Sequence, residues 1–106
     1  MSGPAARPLT DRELRLQALR GRFLTEAAAE QAELGQLLAA GLTEGSASAR
    51  RFRKVVHDLR GSGGSYGYPG ITAAAERLEA MLGDGGGDLA SGLAALGEAI
   101  VAAGRA

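Results

Sequence analysis

The stretch SASARRFRKVVHDLRGSGGSYGYPG, residues 46–70, contains the clearest helical pattern in the chain. Four apolar residues recur at i, i+3, i+4 and i+7, the spacing of one face of an α-helix: Phe52, Val55, Val56 and Leu59. Ser46 or Ser48 is placed to cap the start of this helix, and Pro69 suits the first position of the next one. The stretch therefore predicts two consecutive helices and an all-α fold.

A long helical region precedes this stretch. Thr10 and Glu13 form the pattern of a capping box, and Leu9 is placed to staple onto Leu14. Gly21 leaves open whether the region is one helix or two pieces, with an extra N-terminal helical segment. Gly41 indicates a Schellman ending after Ala40. The predicted apolar face consists of Leu16, Leu19, Phe23, Ala27, Leu34, Leu37 and Leu38.

Two further helices follow. The third is predicted to begin near Pro69, and the fourth is predicted to be capped by Asp88 after the glycine-rich loop 83–88. Their apolar faces consist of Ile71, Ala75, Leu78 and Leu82 in the third helix, and of Leu89, Leu93, Leu96 and Ile100 in the fourth. Amphipathic helices with short connections predict an antiparallel up-and-down four-helix bundle over residues 9–106. Residues 1–8 are predicted to be a disordered tail.

Composition excludes several functional classes. The chain has 106 residues, of which 45% are hydrophobic, and its 12 basic and 12 acidic side chains give a net charge of zero. A balanced charge argues against nucleic-acid binding. The absence of cysteine excludes disulfides and cysteine-based zinc sites. No apolar run is long enough for a membrane span, and the start of the chain lacks the apolar core of a signal peptide. We expect a cytoplasmic monomer.

His57 is the only histidine in the chain. At about 100° of rotation per residue it lies roughly 140° from the Phe52 direction, on the solvent face of its helix. Arg60, Gly61 and Gly64 share that face, with Arg53 as a second and weaker basic candidate. A nucleophilic imidazole, a neighbouring cation and small surroundings indicate a site that receives a bulky anion, most simply a phosphoryl group.

The glycines after His57 allow two interpretations. The helix either ends near Arg60 and the run GSGGSYG is a flexible connector, or the helix continues and the glycines make room for another molecule. If the helix continues, Tyr66 returns to within about 40° of the Phe52 direction. A flexible linker has no reason to keep that phase, so continuation is favoured.

These residues resemble the signature of histidine-containing phosphotransfer domains, the HPt modules of phosphorelays and chemotaxis kinases. The family pattern is H-x-x-K-G followed by small residues and a further glycine. Here His57 stands at the phosphorylated position, Arg60 at the basic position and Gly61 at the small one, with the small pair Gly64 and Ser65 and the later Gly67 after them. The family often carries a glutamine or glutamate 22 residues after the histidine, and this chain has Glu79 there.

The resemblance implies a role for each of these residues. His57 would be the phosphorylated nucleophile, and Glu79 would accept a hydrogen bond from Nδ1–H and leave Nε2 to react. Arg60 would offset the phosphoryl charge, and Gly61 and Gly64 would admit the partner. Arg60 departs from the usual lysine, because arginine offers a planar fork of donors in place of a compact ammonium.

The implied function is that of a phosphoryl carrier and not of an enzyme. The chain has no nucleotide-binding loop of the G-x-x-x-x-G-K-[ST] type, and no cofactor or resident metal is expected. The implied partners are receiver domains of response regulators or hybrid kinases, which would supply the aspartyl phosphate and Mg²⁺. The alternative is a helical interaction or adaptor protein, a degenerate member of the family without phosphotransfer.

Overall fold

Four helices follow one another in the computed structural model, which describes residues 7–84 and 87–105. They are α1 (Asp11–Ala40), α2 (Ala47–Ser65), α3 (Pro69–Gly83) and α4 (Leu89–Gly104). Each helix packs on the next one along the chain, and α4 packs back on α1. Gly97 of α4 lies against Gln31 of α1, and Leu93 lies against Gly35, so these two helices are antiparallel. The predicted all-α four-helix bundle is confirmed.

The core contains one face of each helix, as the spacing of apolar residues predicts. Phe52, Leu34 and Leu59 are among its largest fully buried side chains. The other buried apolar residues are Phe23, Ala27, Val55, Val56, Ile71, Ala75, Leu78, Leu93, Leu96 and Ile100. Within the described residues no polar or charged side chain is fully buried. The bundle is therefore held together mainly by apolar burial, worth roughly 25 cal/mol per Å².

Helix α1 is continuous from Asp11 to Ala40 and crosses Gly21 without a break, so the extra N-terminal segment is part of one helix. The Thr10–Glu13 capping box is formed in both directions. At the other end, Gly41 has φ 99° and ψ 130°, and its amide donates to Leu38. The predicted Schellman ending is not completed, because this ψ turns the chain away from the left-handed helical region before the second bond forms.

The prediction that Leu16 and Leu19 belong to the core is wrong. Their exposed fractions are 42% and 44%, and no residue from 11 to 22 is buried. The physical reason is that α2 has already ended near Phe23, which stacks on Tyr66 with ring centroids 4.8 Å apart. An apolar face is buried only where a neighbouring helix covers it. Leu9 and Leu14, the predicted staple, are likewise about half exposed.

Helix α2 is capped by Ser46, whose side chain accepts from the amide of Ala49, and the helix continues through the glycines to Ser65. The interpretation of residues 61–65 as a flexible connector is therefore wrong. Gly63 shows why a glycine is kept within this helix, because it is buried at the point where α3 crosses α2. A Cβ on Gly63 would lie 2.8 Å from Thr72 Oγ1 and 3.0 Å from the Thr72 amide nitrogen. This glycine allows α2 and α3 to approach closely.

Gly63 and Gly61 are predicted to respond in opposite directions to alanine. Gly63→Ala lowers the free energy of unfolding, because the overlap with the Thr72 backbone costs about 1–3 kcal/mol and outweighs the helical preference of alanine. Gly61→Ala raises it by up to about 1 kcal/mol, since nothing lies within 4 Å of a Cβ there. Urea unfolding of both variants measures the difference. Equal stabilities of the two variants would contradict the close approach at Gly63.

Some predictions fall partly outside the described residues. Residues 1–6 of the predicted tail and residues 85–86 of the predicted loop are not described. Arg7 pairs with Glu13 through two hydrogen bonds of 2.7 and 2.8 Å. Asp88 caps α4 by accepting from the amide of Ser91, as predicted. In the part of the chain that is described, no helix has the length and apolar character needed to cross a membrane.

Candidate functional site

His57 lies just past the middle of α2 and faces solvent, with 67% of its side chain exposed. Three apolar residues on another face of the same helix are buried: Phe52, Val56 and Leu59. Because these side chains fix the rotation of α2, the imidazole is held on the outer face of a rigid element. The sequence-based placement of His57 on the solvent face is confirmed.

Glu79 of α3 reaches the imidazole from the neighbouring helix. Its Oε2 lies 2.9 Å from Nδ1 of His57. A carboxylate only accepts hydrogen bonds, so this contact requires a proton on Nδ1. Nε2 has no hydrogen-bond partner among residues 7–84 and 87–105. The arrangement leaves the lone pair of Nε2 open to solvent.

Arg60 contacts the same carboxylate. Its Nη1 donates to Oε1 of Glu79 at 2.7 Å, and its Nε lies 3.5 Å from Oε1 of Glu76. The hydrogen bond from Arg60, and next the one from His57, lower the pKa of Glu79 below its ordinary value. Glu79 is therefore ionised at neutral pH and joins His57 to Arg60 through its two oxygens.

Contacts between α2 and α3 set the distance that Glu79 must span. Thr72 Oγ1 donates to the backbone carbonyl of Arg60 at 2.9 Å, and Gly63 allows the two helices to approach at the same level. Since α3 continues from Thr72 through Glu76 to Glu79, the two carboxylates lie one turn apart, with Glu79 extending beneath the imidazole. The helix–helix contact thus positions the hydrogen bond to His57.

Gly61 and Gly64 lie open on the surface next to His57. A Cβ on Gly61 would meet no atom within 4 Å, and one on Gly64 would meet only Thr72 Oγ1, at 3.6 Å. Neither glycine is required by packing within the bundle. Arg53, the weaker basic candidate, lies instead beside a separate hollow that Leu82 and Leu89 also line.

A groove of about 590 Å³ lies between α1 and α2 on the other side of His57. Glu26 and Glu30 of α1 and Asp58 of α2 contribute carboxylates to it, and Leu19 and Arg22 line its other end. Burial raises the pKa of Glu30, whereas the hydrogen bond from Lys54 lowers that of Asp58. Within the described ranges, no three histidine or carboxylate side chains are grouped closely enough to hold a metal ion.

Arg60 is predicted to control the titration of Glu79. The depressed pKa means that the ion pair stabilises the fold above the ordinary glutamate pKa and is lost as the pH falls through the lowered value. In Arg60→Gln the carboxyl should titrate at a higher pH than in the wild type, because its strongest hydrogen bond is removed. Carboxyl ¹³C NMR titration measures this, with Arg53→Gln as the matched control. An unchanged Glu79 midpoint in Arg60→Gln would contradict the contact.

The site thus consists of an exposed histidine on α2, a carboxylate from α3 that contacts its ring, and two open glycines beside it. Comparison with protein families assigns the chain to a class: the family model described as Hpt domain matches residues 18–105. The chain therefore belongs to the Hpt domain family. Comparisons with curated proteins and with solved structures found no match.

Sequence reasoning missed several residues around the site. Gly63 had a usable signal, because it falls about 20° from the Phe52 direction and so lies on the buried face. Thr72 and Glu76 had none, since their contacts depend on how α3 crosses α2. Arg20 had none either: its Nε donates to the carbonyl of Tyr66, 46 residues later, at 2.9 Å. This contact ties α1 to the end of α2.

Proposed function

We propose that this chain is a phosphoryl carrier of a phosphorelay. His57 accepts a phosphoryl group from the aspartyl phosphate of a receiver domain, or from a kinase, and passes it to the aspartate of a response regulator. The observation that supports this most is the hydrogen bond of 2.9 Å between Nδ1 and Glu79 on an imidazole that is otherwise exposed. Membership of the Hpt domain family supports the same function.

In the proposed transfer the lone pair of Nε2 attacks the phosphorus of the aspartyl phosphate. The N–P bond forms while the bond from phosphorus to the aspartate oxygen breaks, and the aspartate leaves as a carboxylate. The Nδ1 proton stays between the ring and Glu79. Because the ring becomes positively charged as the N–P bond forms, the ionised Glu79 stabilises the product and the transition state that leads to it. The reverse sequence returns the group to a second aspartate.

Arg60 serves this reaction in two ways. One of its donors holds Glu79, and the second, Nε, lies toward Glu76. A guanidinium has five N–H donors, so others remain for the oxygens of a phosphoryl group on His57, one helical turn away. A lysine has three donors on one atom and reaches two separated groups less easily. Arginine at this position therefore combines orientation of Glu79 with compensation of phosphoryl charge.

The partner supplies what this chain does not offer. The receiver domain contributes the aspartate and the Mg²⁺. It approaches over Gly61 and Gly64, which have no side chains and are open on the surface. In this proposal the chain is a carrier without a nucleotide site, acts as a monomer and works in the cytoplasm. It takes no resident cofactor.

Transfer from a labelled receiver domain tests the function. Receiver domains charged with acetyl phosphate are incubated with the chain, and label is followed on the chain by gel electrophoresis. We expect label that is lost in acid and retained in base, the stability of phosphohistidine. A chain that takes no label from any receiver domain would favour the adaptor alternative.

A further inference from the structure

The first twelve residues of α1 project beyond the rest of the bundle. Phe23 of α1 stacks on the rings of Tyr66 and Tyr68, which lie between α2 and α3. Arg20 donates a hydrogen bond to the carbonyl of Tyr66. Helix α4, which runs antiparallel to α1, ends at Gly104. Residues 11–22 therefore have no helix beside them for most of their length. We call this segment the overhang.

The overhang carries an exposed apolar strip. Leu16 and Leu19 lie within about 40° of the Phe23 direction, so they continue the face that is buried further along α1. Their exposed fractions of 42% and 44% leave both side chains accessible to a partner. Neighbouring exposed leucines on one helix face are typical of protein interaction sites.

Three arginines flank the two leucines. They are Arg12, Arg15 and Arg22, and around the helix axis they lie within about 100° of Phe23. They are on the side of α1 that packs against α2 later in the helix. Among the described residues, none of the three has a carboxylate within 4 Å, in contrast to Arg51 and Arg60, which pair with glutamates. We call Arg12, Arg15, Leu16, Leu19 and Arg22 the overhang strip. Its charge favours an acidic partner.

The overhang strip is continuous with the site of His57. Leu19 and Arg22 line the groove that His57 also lines, and Glu26 and Glu30 lie between them and the histidine level. With a rise of 1.5 Å per residue, Leu16 lies about 15–20 Å along the axis from that level. A standard interface buries about 800 Å² on each partner and is wide enough to span this distance. A protein seated on His57 therefore meets the overhang strip.

We propose that the overhang strip is a docking surface for the protein that exchanges phosphoryl groups with His57. The partner presents an apolar patch ringed by carboxylates, about 15–20 Å from its phosphoryl-bearing atom, as the helical rise requires. This inference rests on the proposed function. Arg12, Arg15 and Leu16 lie outside the family match, which begins at residue 18. In this proposal their distance from the imidazole gives them a role in selecting the partner and none in the chemistry.

The test compares two donors on two double variants. Arg15→Ser with Leu16→Ser removes part of the overhang strip, and Arg77→Ser with Val101→Ser is the matched control on the exposed surfaces of α3 and α4. One donor is the receiver domain that labels the wild type fastest after charging with acetyl phosphate. The other is phosphoramidate, which is too small to contact the overhang and His57 together.

The expected result is a fall of about tenfold or more in the second-order rate constant with the receiver domain for the overhang variant only. Its rate with phosphoramidate stays equal to that of the wild type. The receiver-dependent rate of the wild type also falls with ionic strength, more steeply than that of the overhang variant.

Other outcomes overturn the inference in distinguishable ways. If the wild type takes label from receiver domains and the overhang variant does so at the same rate, the docking surface is wrong and the proposed function stands. If no receiver domain labels the wild type, both are wrong. Two results with unchanged transfer rates would assign the strip to another partner. If the wild type sediments as a dimer and the overhang variant as a monomer, the strip binds a second copy of the chain. If the wild type binds phosphatidylglycerol vesicles and the overhang variant does not, the strip binds a lipid surface.

Discussion

His57→Gln takes up no acid-labile phosphoryl label, from a receiver domain or from phosphoramidate. The loss is complete because His57 is the only histidine in the chain. Glutamine offers no nucleophilic ring nitrogen, yet its amide is able to donate to Glu79 in place of Nδ1. With 67% of the wild-type side chain exposed, the substitution should change the free energy of unfolding by less than about 0.5 kcal/mol.

The measurement is label retained after gel electrophoresis, with acid and base treatment to identify the bond. Circular dichroism and urea unfolding of the same sample show whether the bundle is intact. Label of equal amount and acid lability on His57→Gln would contradict the assignment of the site. A variant that unfolds is replaced by His57→Ala, which makes the same prediction.

Gly61→Gln is expected to slow transfer from a receiver domain because it blocks the access of the partner to His57. Its effect on the transfer rate is second only to that of His57→Gln. Gly61 lies one turn after His57 and about 40° from it around the helix, so a longer side chain there occupies the space over which a partner must approach. A displacement of about 1 Å between reacting atoms costs roughly a hundredfold in rate. We therefore expect about a hundredfold slower transfer from a receiver domain and a much smaller change with phosphoramidate.

Gly21→Gln is the matched control for this prediction. Gly21 is also a helical glycine with nothing within 4 Å of a Cβ, and it lies on the outward face of α1. Both substitutions should raise the free energy of unfolding by up to about 1 kcal/mol, because glutamine is a better helix former than glycine. Equal transfer rates from the receiver domain in the two variants would contradict the role of Gly61.

The helical pattern predicted the fold well, because amphipathic spacing is a local property. The caps at Thr10 and Asp88 and the buried faces of α2 and α3 follow directly from it, whereas the pattern left the cap of α2 open between Ser46 and Ser48. The exposure of Leu16 and Leu19 did not, since burial depends on where the neighbouring helices end. Periodicity indicates which side of a helix is apolar and contains nothing about the length of its neighbours.

The site was predictable in part for the same reason. The solvent-facing position of His57 follows from the helical spacing of its apolar neighbours. The resemblance to the family indicated Glu79, which lies 22 residues after His57 in the sequence. The bond from Arg60 to Glu79 and the close approach at Gly63 depend on how two helices cross, which a single helix pattern does not determine. Tertiary contacts between residues far apart in sequence therefore account for most of what was missed.

The proton held between Nδ1 and Glu79 is the basis for expecting phosphorylation at the other ring nitrogen. The most direct test is NMR of the chain labelled with ¹⁵N at histidine and phosphorylated with phosphoramidate or a receiver domain. We expect coupling of ³¹P to Nε2. In the free chain we expect a proton on Nδ1, and this preference for Nδ1 should be lost in Glu79→Ala. Coupling of ³¹P to Nδ1, or no phosphoryl group on the ring, would contradict the proposed transfer through Nε2.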